Sequence, residues 1–329
     1  MRIARWRHRD VLGEGFVVGD EVIGFADGST VAEVLAAGLD AARVLERETA
    51  QAHAPGRVPG VPLDEVTLLA PLVPTAIRDF VAFEEHVEGV SASVDGRSEV
   101  VPEWYEAPTF YFTNPHTVRA SGETVRPPET ARLDFELELA AVIGGVPGRP
   151  GESLTVDEAG SHIFGYTVMN DWSARDLQSR EMKVRLGPCK GKDFATTLGP
   201  WIVTADELEG FVDDEGFLAV RAEVFVNGAL IGHDLVSNMG WPFAALVAYA
   251  SRNSVVVPGD VLGSGTVGNG GCLAELWGRT GGLTPPPLVA GDEVRMVVEG
   301  VGEIVNVVGH PLAAPAIGHA SLRSRSRTR

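Results

Sequence analysis

Cysteine is scarce in this sequence. Only Cys189 and Cys272 occur among 329 residues. Two cysteines so far apart make neither a disulfide framework nor a zinc site built from cysteine ligands. This usage is typical of a protein kept in a reducing compartment, and we expect the cytoplasm.

The sequence also has few basic residues and lacks long apolar runs. The chain has 27 Lys and Arg against 45 Asp and Glu, a formal net charge of −18. This argues against nucleic acid and against an anionic membrane surface as partners, because both bind clustered cations. No apolar run reaches the roughly 18 residues of a membrane span, and the basic start lacks the apolar stretch of a signal peptide.

The length of the chain favours two domains. Residues 2–6 and 15–24 alternate like strands, and Thr30 and Glu33 have the spacing of a capping box at the start of a helix. The Pro- and Gly-rich stretch 51–62 is typical of a linker. We expect a small N-terminal α/β domain over 1–62, a larger domain over 63–318, and a basic disordered tail over 319–329.

The larger part of the chain is rich in strand patterns. Residues 217–226 alternate and meet Asn227-Gly228, a strong hairpin signal. Residues 294–298 and 304–308 flank a second hairpin candidate. Helical patterns are few, at 75–86, 155–162 and 241–251. Segregated strands with few helices predict an α+β fold that is mostly β.

Three carboxylates alternate with apolar residues in the segment 134–139. Period two predicts a strand that places Asp134, Glu136 and Glu138 on one face. Like charges crowded there are unfavourable unless something positive is present, and a hard cation such as Mg²⁺ or Ca²⁺ prefers carboxylate oxygens. The alternative is a half-exposed strand with an acidic solvent face, and this segment alone leaves both open.

Other polar segments could also contribute to a site. Residues 263–268 match G-x-G-x-x-G, but the strand before them is short, and glycines and prolines over 281–287 stand where the second strand should end. A loop whose N–H groups meet an anionic ligand therefore fits better than a dinucleotide site. The remaining segments are Asn170–Gln178, Leu186–Asp193 and Asp79–His86, the last on the stretch predicted as helix. Each taken alone could equally be a surface turn or an ordinary packing residue.

Taken together and in this order, these segments resemble the fumarylacetoacetate hydrolase family. The resemblance covers roughly 68–309 and is most specific at 133–138, 162–166, 170–178, 186–192 and 263–266. It implies a mixed β-roll catalytic domain and a homodimer. It also implies a bound Mg²⁺, alternatively Ca²⁺ or Mn²⁺, and a small diketo or 2-oxo acid substrate.

The resemblance also implies roles for individual residues. The metal ligands would be Asp79, Glu136, Glu138 and Asp171. The catalytic residues would be His86, Glu275 and Lys192. The substrate contacts would be Gln178, Thr266 and Tyr111. Asp134 is not among the usual ligands, so substitution of Asp134 is expected to matter much less than substitution of Glu136 or Glu138.

The sequence departs from the fumarylacetoacetase pattern at two positions. Val81 replaces a substrate tyrosine and Asp95 replaces the arginine for a distal carboxylate, with Arg97 displaced nearby. The insert 99–106 is expected to shape a different distal pocket.

The leading hypothesis is a hydrolase that cleaves a carbon–carbon bond in an acylpyruvate or other β-diketo acid with a water activated by His86 and Glu275. One alternative is a 2-oxo acid decarboxylase or isomerase acting on oxaloacetate or a 2-hydroxyhepta-2,4-diene-1,7-dioate type of substrate. Another is a catalytically silent binding protein. The joint presence of the acids, Lys, His and Glu argues against it, because such a protein should have lost at least one of them.

Overall fold

The computed structural model describes residues 1–54, 58–95, 98–321, 323 and 325. Residues 55–57 of the predicted linker, Arg97, the side chain of Asp95 and most of the predicted tail beyond 321 lie outside this description. None of the described helices is both long and apolar enough to cross a membrane.

Strands account for most of the regular structure. In chain order they are β1 Arg2–His8, β2 Val11–Val18, β3 Glu21–Gly24, β4 Gly60–Pro62, β5 Thr67–Leu68, β6 Ile77–Phe80, β7 Phe110–Thr113, β8 Val118–Arg119, β9 Thr124–Val125, β10 Leu133–Asp134, β11 Leu137–Ile143, β12 Ile163–Asp171, β13 Ser173–Ala174, β14 Thr196–Thr204, β15 Arg221–Val226, β16 Ala229–Leu235, β17 Val261–Gly263, β18 Glu293–Val298 and β19 Gly302–Val308. The α-helices are α1 Val31–Ala37, α2 Leu39–His53, α3 Glu84–Asp95, α4 Val156–Ala159, α5 Arg175–Met182, α6 Phe243–Ser251 and α7 Leu273–Thr280.

Most strands join one large mixed sheet. Its order is β4-β3-β2-β1-β14-β12-β11-β17-β6-β7, with β5 beside β1 and β8 beside β14. The neighbours are antiparallel except β17 with β6 and β8 with β14, which are parallel. A second sheet has the order β16-β15-β18-β19-β9, and β10 pairs with β13. The prediction of a strand-rich α+β fold is confirmed.

The central strand β11 is buried along its whole length and separates two parts of the core. Its residues Leu137, Leu139, Ala141 and Ile143 belong to the cluster formed with the second sheet and α6. Ala140 and Val142 belong to the cluster formed with the N-terminal helices. Because side chains alternate along a strand, one apolar run thus serves both faces of the large sheet.

The N-terminal residues continue the large sheet through β1. Arg2 and Ile3 of β1 lie opposite Val203 and Ile202 of β14. The amino terminus donates to Thr204 Oγ1 at 2.8 Å. The predicted boundary at residue 62 therefore falls within one continuous sheet, and whether the two parts fold independently stays a prediction.

Several local predictions match the structure. The capping box formed by Thr30 and Glu33 begins α1, and Gly38 at φ 87° separates α1 from α2. The Asn227-Gly228 hairpin joins β15 to β16, and the second hairpin joins β18 to β19. These elements depend on local turn and cap chemistry, which a short window of sequence contains.

The helix predicted over 75–86 is wrong in its first part. Residues 77–80 form β6, which is fully buried between β17 and β7, and α3 begins only at Glu84. Pairing with two distant strands outweighs the local apolar spacing that suggested a helix.

The strand predicted over 134–139 is interrupted. β10 ends at Asp134, which lies opposite Ser173 in the small sheet, and β11 begins at Leu137. Glu136 therefore lies in the connection between two strands rather than inside one strand. The carboxylate of Asp134 shares Arg175 with Glu136, but it accepts from the N–H groups of Leu273 and Ala274 rather than joining Glu138.

Candidate active site

Neighbouring strands of the large sheet bring the predicted acids together. Asp171 ends β12, Glu138 lies on β11, and Asp79 lies on β6, with β17 between the last two strands. Glu136 immediately precedes β11 and its backbone carbonyl accepts from the N–H of Asp171 at 3.2 Å. Asp79 and Asp171 are far from Glu136 and Glu138 in the sequence, and they meet these two acids because their strands belong to the same part of the sheet.

The four acids form one compact cluster. One carboxylate oxygen from each of Asp79, Glu136, Glu138 and Asp171 lies within 4.8 Å of the others, and all four side chains are buried. Gly263 of β17 borders the cluster closely. A Cβ atom at Gly263 would lie 2.6 Å from Glu138 Oε2 and 2.7 Å from Asp79 Oδ1. The strand between the acids thus has no side chain where the carboxylates lie.

The electrostatics of the cluster call for a cation. Burial and the neighbouring Asp171 carboxylate raise the pKa of Asp79 well above its ordinary value. Burial and Asp79 do the same to the pKa of Glu138. Among the described residues, Asp79 Oδ1, Glu138 Oε1 and Asp171 Oδ1 are buried without a hydrogen-bond partner. Buried unpaired carboxylate oxygens that converge on one point fit a hard divalent cation.

Two cations of the chain already lie beside the cluster. Lys192 contacts the carboxylate of Glu136, and its Nζ lies 2.5 Å from Asp171 Oδ2. Although burial alone would lower it, the pKa of Lys192 is held above its ordinary value by Asp171 and Glu136. Arg175 Nη2 lies 2.8 Å from Glu136 Oε1. Despite burial, Lys192 and Arg175 keep the pKa of Glu136 below its ordinary value, so Glu136 is the acid most readily ionised.

His86 and Glu275 face each other from two packed helices. His86 lies on α3 and Glu275 on α7, with His86 Nδ1 4.0 Å from Glu275 Oε2. Gly89, one turn after His86, lets the helices approach, because a Cβ there would lie 2.4 Å from Glu275 Cγ. The other ring nitrogen, His86 Nε2, lies 4.0 Å from Glu136 Oε1. The imidazole therefore stands between Glu275 and the carboxylate cluster.

Burial sets the protonation of this pair. It lowers the pKa of His86 to about 4, so the imidazole is neutral at neutral pH. It raises the pKa of Glu275 to about 7, against the opposing effect of Arg279. Arg279 and the N–H of Gly270 hold Glu275 Oε1, which leaves Oε2 directed at His86.

The predicted substrate residues line a shared cavity. Tyr111 lies opposite Asp79 in the pair β6–β7, and its hydroxyl donates to Asp171 Oδ2 at 2.5 Å. Gln178 Oε1 accepts from Arg175 Nη1 at 3.1 Å. With Thr266 they border a cavity of about 350 Å³ that also exposes Asp79, His86, Glu136 and Lys192. The cavity thus joins the acid cluster to the imidazole.

Three residues of the site have functions in the structure that the sequence did not indicate. Arg175 is not a surface residue, since it is held by Asp134 at 2.8 Å as well as by Glu136. Asp134 also accepts from the N–H groups of Leu273 and Ala274 at the start of α7. Cys272 Sγ lies 3.7 Å from His86 Nδ1. Only the crowding of acids at 134–138, which requires positive charge nearby, pointed toward Arg175.

The departures near the distal end of the cavity are only partly described. Val81 lines the cavity, and its carbonyl accepts from Trp104 Nε1 at 2.7 Å. Among the described residues that line the cavity, none belongs to the insert 99–106, whose Trp104 contacts the backbone of the lining residue Val81. Arg97 and the side chain of Asp95 lie outside the described part of the chain.

Known proteins resemble this chain in sequence and in fold. The model of a family described as "Fumarylacetoacetate (FAA) hydrolase C-terminal" matches residues 75–309. Fumarylacetoacetase of Arabidopsis thaliana is 32% identical over 283 residues, which cover 70% of this chain and 66% of that protein. The chain thus spans about two thirds of the length of this relative.

Two solved structures have the same fold. A 5-carboxymethyl-2-hydroxymuconate delta-isomerase from Mycobacterium smegmatis, 25% identical, superposes with a TM-score of 0.65 over 94% of this chain and 100% of its own. A maleylpyruvate hydrolase from Sphingobium sp. SYK-6, solved with manganese(II) and pyruvate and 23% identical, gives 0.67 over 95% and 100%. The resemblance noted in the sequence is confirmed, and the chain belongs to the fumarylacetoacetate hydrolase family of enzymes.

Proposed function

We propose that this protein is a metal-dependent hydrolase that cleaves a carbon–carbon bond of a 1,3-dicarbonyl acid, such as an acylpyruvate. The observation that carries the proposal is the position of His86 between Glu275 and the cluster of four carboxylates, with 4.0 Å on either side of the imidazole. The names of the relatives, fumarylacetoacetase and maleylpyruvate hydrolase, support the same reaction class.

The proposed metal ligands are Asp79, Glu136, Glu138 and Asp171. Their converging oxygens suit a hard divalent cation, for which we propose Mg²⁺ with Mn²⁺ or Ca²⁺ as substitutes. When bound, such a cation would polarise the paired oxygens of a dicarbonyl substrate and favour its enolate. The manganese(II) in the solved maleylpyruvate hydrolase supports a divalent metal.

His86 is the proposed general base. Its imidazole is neutral, and the acceptors Glu275 Oε2 and Cys272 Sγ both face Nδ1. A proton on Nδ1 directed at these acceptors leaves Nε2 free to take a proton from water in the cavity. Glu275 orients the ring and stabilises the imidazolium that forms, as the carboxylate does in a Ser-His-Asp triad.

The cations of the cavity would stabilise the products of bond cleavage. The hydroxide formed at His86 attacks the distal carbonyl carbon, and the carbon–carbon bond then breaks with its electron pair on the leaving enolate. Lys192 stays protonated in its acidic surroundings and borders the cavity together with Arg175. Fixed positive groups in a buried site stabilise such a developing anion. Tyr111, Gln178 and Thr266 are proposed to hold the substrate oxygens.

A second candidate function is a decarboxylase or isomerase of 2-oxo acids. The solved isomerase with the same fold favours it, because the acid cluster alone could support enolate chemistry without attack by water. Fumarylacetoacetate itself is a poor candidate as substrate, since Val81 lines the cavity where fumarylacetoacetases are expected to have a tyrosine.

A substrate panel with one matched variant tests the proposal. Wild-type protein and His86→Gln are each assayed with Mg²⁺ or Mn²⁺ on acylpyruvates, oxaloacetate and a hydroxydiene-dioate. Hydrolysis of an acylpyruvate that falls about 100- to 10,000-fold in the variant supports the proposal, because that range is the usual contribution of a general base. Turnover of oxaloacetate alone, undiminished in the variant, favours the decarboxylase.

The remaining expectations for the protein are also proposals. We propose a homodimer, a cytoplasmic location, and two domains, a small N-terminal one with its linker over 1–62 and a catalytic one with the metal centre over 63–318. Sedimentation of the purified chain tests the dimer, and expression of residues 63–329 with measurement of its thermal transition tests the boundary. If the truncated chain is unfolded, the boundary is contradicted. The truncation removes β1, which pairs with β14 in the large sheet.

A further inference from the structure

A second group of metal-binding atoms lies next to the four carboxylates. His86, Glu136 and Cys272 each offer one donor atom, and these nitrogen, oxygen and sulfur atoms lie within 4.8 Å of one another. All three side chains are buried. The sequence excludes a zinc site built from several cysteines, but the fold brings one cysteine to a histidine and a glutamate that are distant in the chain.

The donor types distinguish this group from its neighbour. The four-carboxylate cluster offers only oxygen, the ligand atom of hard cations. The second group offers thiolate, imidazole and carboxylate, a set that zinc accepts in tetrahedral sites. Divalent zinc also binds a given set of such ligands more tightly than manganese does. Each group therefore prefers a different class of cation.

An additional unpaired oxygen faces the same imidazole. Glu275 Oε2 is buried without a hydrogen-bond partner in the part of the chain that the structure describes, and it lies 4.0 Å from His86 Nδ1. Cys272 Sγ lies 3.7 Å from the same nitrogen. Cys272 Sγ and Glu275 Oε2 thus both face Nδ1 of the imidazole, and a cation bound there would satisfy them.

We propose that His86, Cys272 and Glu136 form a zinc site that inhibits the enzyme. Zinc there occupies the imidazole and draws Glu136 away from the four-carboxylate cluster, since Glu136 belongs to both groups. One proton leaves the Cys272 thiol for the solvent as the Zn–S bond forms. His86 and Glu136 border the open cavity, which provides the path of entry.

The experiment uses the full chain loaded with Mn²⁺ and titrated with Zn²⁺. Cys189→Ser is the key variant, because Cys189 is exposed and its removal leaves Cys272 as the single cysteine. X-ray absorption at the zinc edge is expected to show sulfur at about 2.3 Å in this variant and in the wild type. A zinc spectrum with only oxygen and nitrogen neighbours in Cys189→Ser overturns the proposal.

Cys272→Ser gives the matched loss of the sulfur ligand. Its zinc affinity, measured by competition with a chelating dye, should fall by at least about 10- to 100-fold, the loss that even a supporting group causes. Zinc inhibition should weaken in parallel, whereas Cys189→Ser should keep the wild-type value. Equal zinc affinity in wild type and Cys272→Ser overturns the proposal. If Cys272→Ser does not fold, the Cys189→Ser spectrum decides alone.

Discussion

The two sides of the His86 imidazole differ in what they contain. On one side, four carboxylates from adjacent strands converge with Lys192 and Arg175 beside them. On the other side, Glu275 and Cys272 come from the short segment that ends the glycine-rich loop and begins α7. The first side is built on the strands of the large sheet and concentrates negative charge. The second is a contact between helices and sets the orientation and protonation of one imidazole.

The comparison shows how His86 stays uncharged next to a strongly acidic cluster. Burial lowers the pKa of His86 more than the nearby Glu136 raises it, and the positive charges of Arg175 and Lys192 lower it further. The acids and cations largely compensate one another, and the imidazole between them remains uncharged. Substitutions on the two sides should therefore fail in different ways.

Loss of a carboxylate from the sheet side should have the largest effect. In Glu138→Gln we expect turnover to fall by about 100- to 1,000-fold or more, since a buried electrostatic contribution to the transition state is removed. Mn²⁺ affinity, measured by electron paramagnetic resonance, should fall with it. Glu129→Gln, a change of an exposed acid, should leave both unchanged. Full Mn²⁺ affinity in Glu138→Gln would contradict the assignment.

The same variant should change how stability depends on pH without metal. Folding raises the pKa of Glu138 and Asp79 above their ordinary values of 4.5 and 3.8, so the folded protein retains protons that the unfolded chain has lost. The free energy of unfolding of the metal-free protein should thus fall as pH rises above that range. In Glu138→Gln, the free energy of unfolding measured by urea titration should fall less with rising pH than in the wild type. A steeper fall in the variant would contradict a raised pKa of Glu138.

Loss of the carboxylate on the helix side should lower the rate and spare the metal. We expect Glu275→Gln to reduce kcat by about 100-fold or more while Mn²⁺ affinity stays at the wild-type value. The wild-type rate should fall as pH drops through about 7, where Glu275 takes up a proton. That acidic limb should disappear in the variant. An unchanged pH profile would mean that Glu275 does not act through His86.

A change of helix spacing should have a smaller effect. Gly89→Ala would place a Cβ 2.4 Å from Glu275 Cγ and 3.2 Å from Glu275 Cα, so the spacing between His86 and Glu275 must change. We expect kcat to fall by about 10- to 100-fold without loss of any chemical group. Gly160→Ala is the matched control, because a Cβ there lies 3.9 Å from its nearest neighbour. Equal rates in the two variants would contradict close packing at Gly89.

The smallest effect on turnover should follow substitution of Asp134. Its carboxylate holds Arg175 and the first N–H groups of α7, so it supports both sides without touching the substrate cavity. We expect Asp134→Asn to lower the free energy of unfolding by about 1–3 kcal/mol and to leave Mn²⁺ affinity near normal. A loss of turnover as large as that of Glu138→Gln would place Asp134 among the ligands.

The sequence predicts local elements better than their arrangement. Caps and tight turns such as Thr30–Glu33 and Asn227-Gly228 were predictable because their chemistry lies within a few residues. The strand Ile77–Phe80 was not, because its identity depends on β17 and β7, which lie far along the chain. Tertiary pairing of this kind leaves no local period to read.

The site shows the same division. The alternation at 134–138 indicated acids that need positive charge nearby, and the family resemblance added Asp79, His86 and Glu275. The structure brings these residues to one cavity or its wall. The resemblance set Asp134 apart from the ligands, but neither it nor the alternation indicated the break in the strand after Asp134. Nor did spacing place Cys272 against His86, a contact that arises only when α3 packs on α7.

The most direct test of the central claim is a crystal structure of the protein soaked with Mn²⁺ and recorded with anomalous scattering. We predict one manganese peak bounded by Asp79, Glu136, Glu138 and Asp171, with metal–oxygen distances of about 2.0–2.6 Å. The same soak of Glu138→Gln should lose the peak or most of its occupancy. Manganese bound elsewhere, or an undiminished peak in Glu138→Gln, would contradict the account.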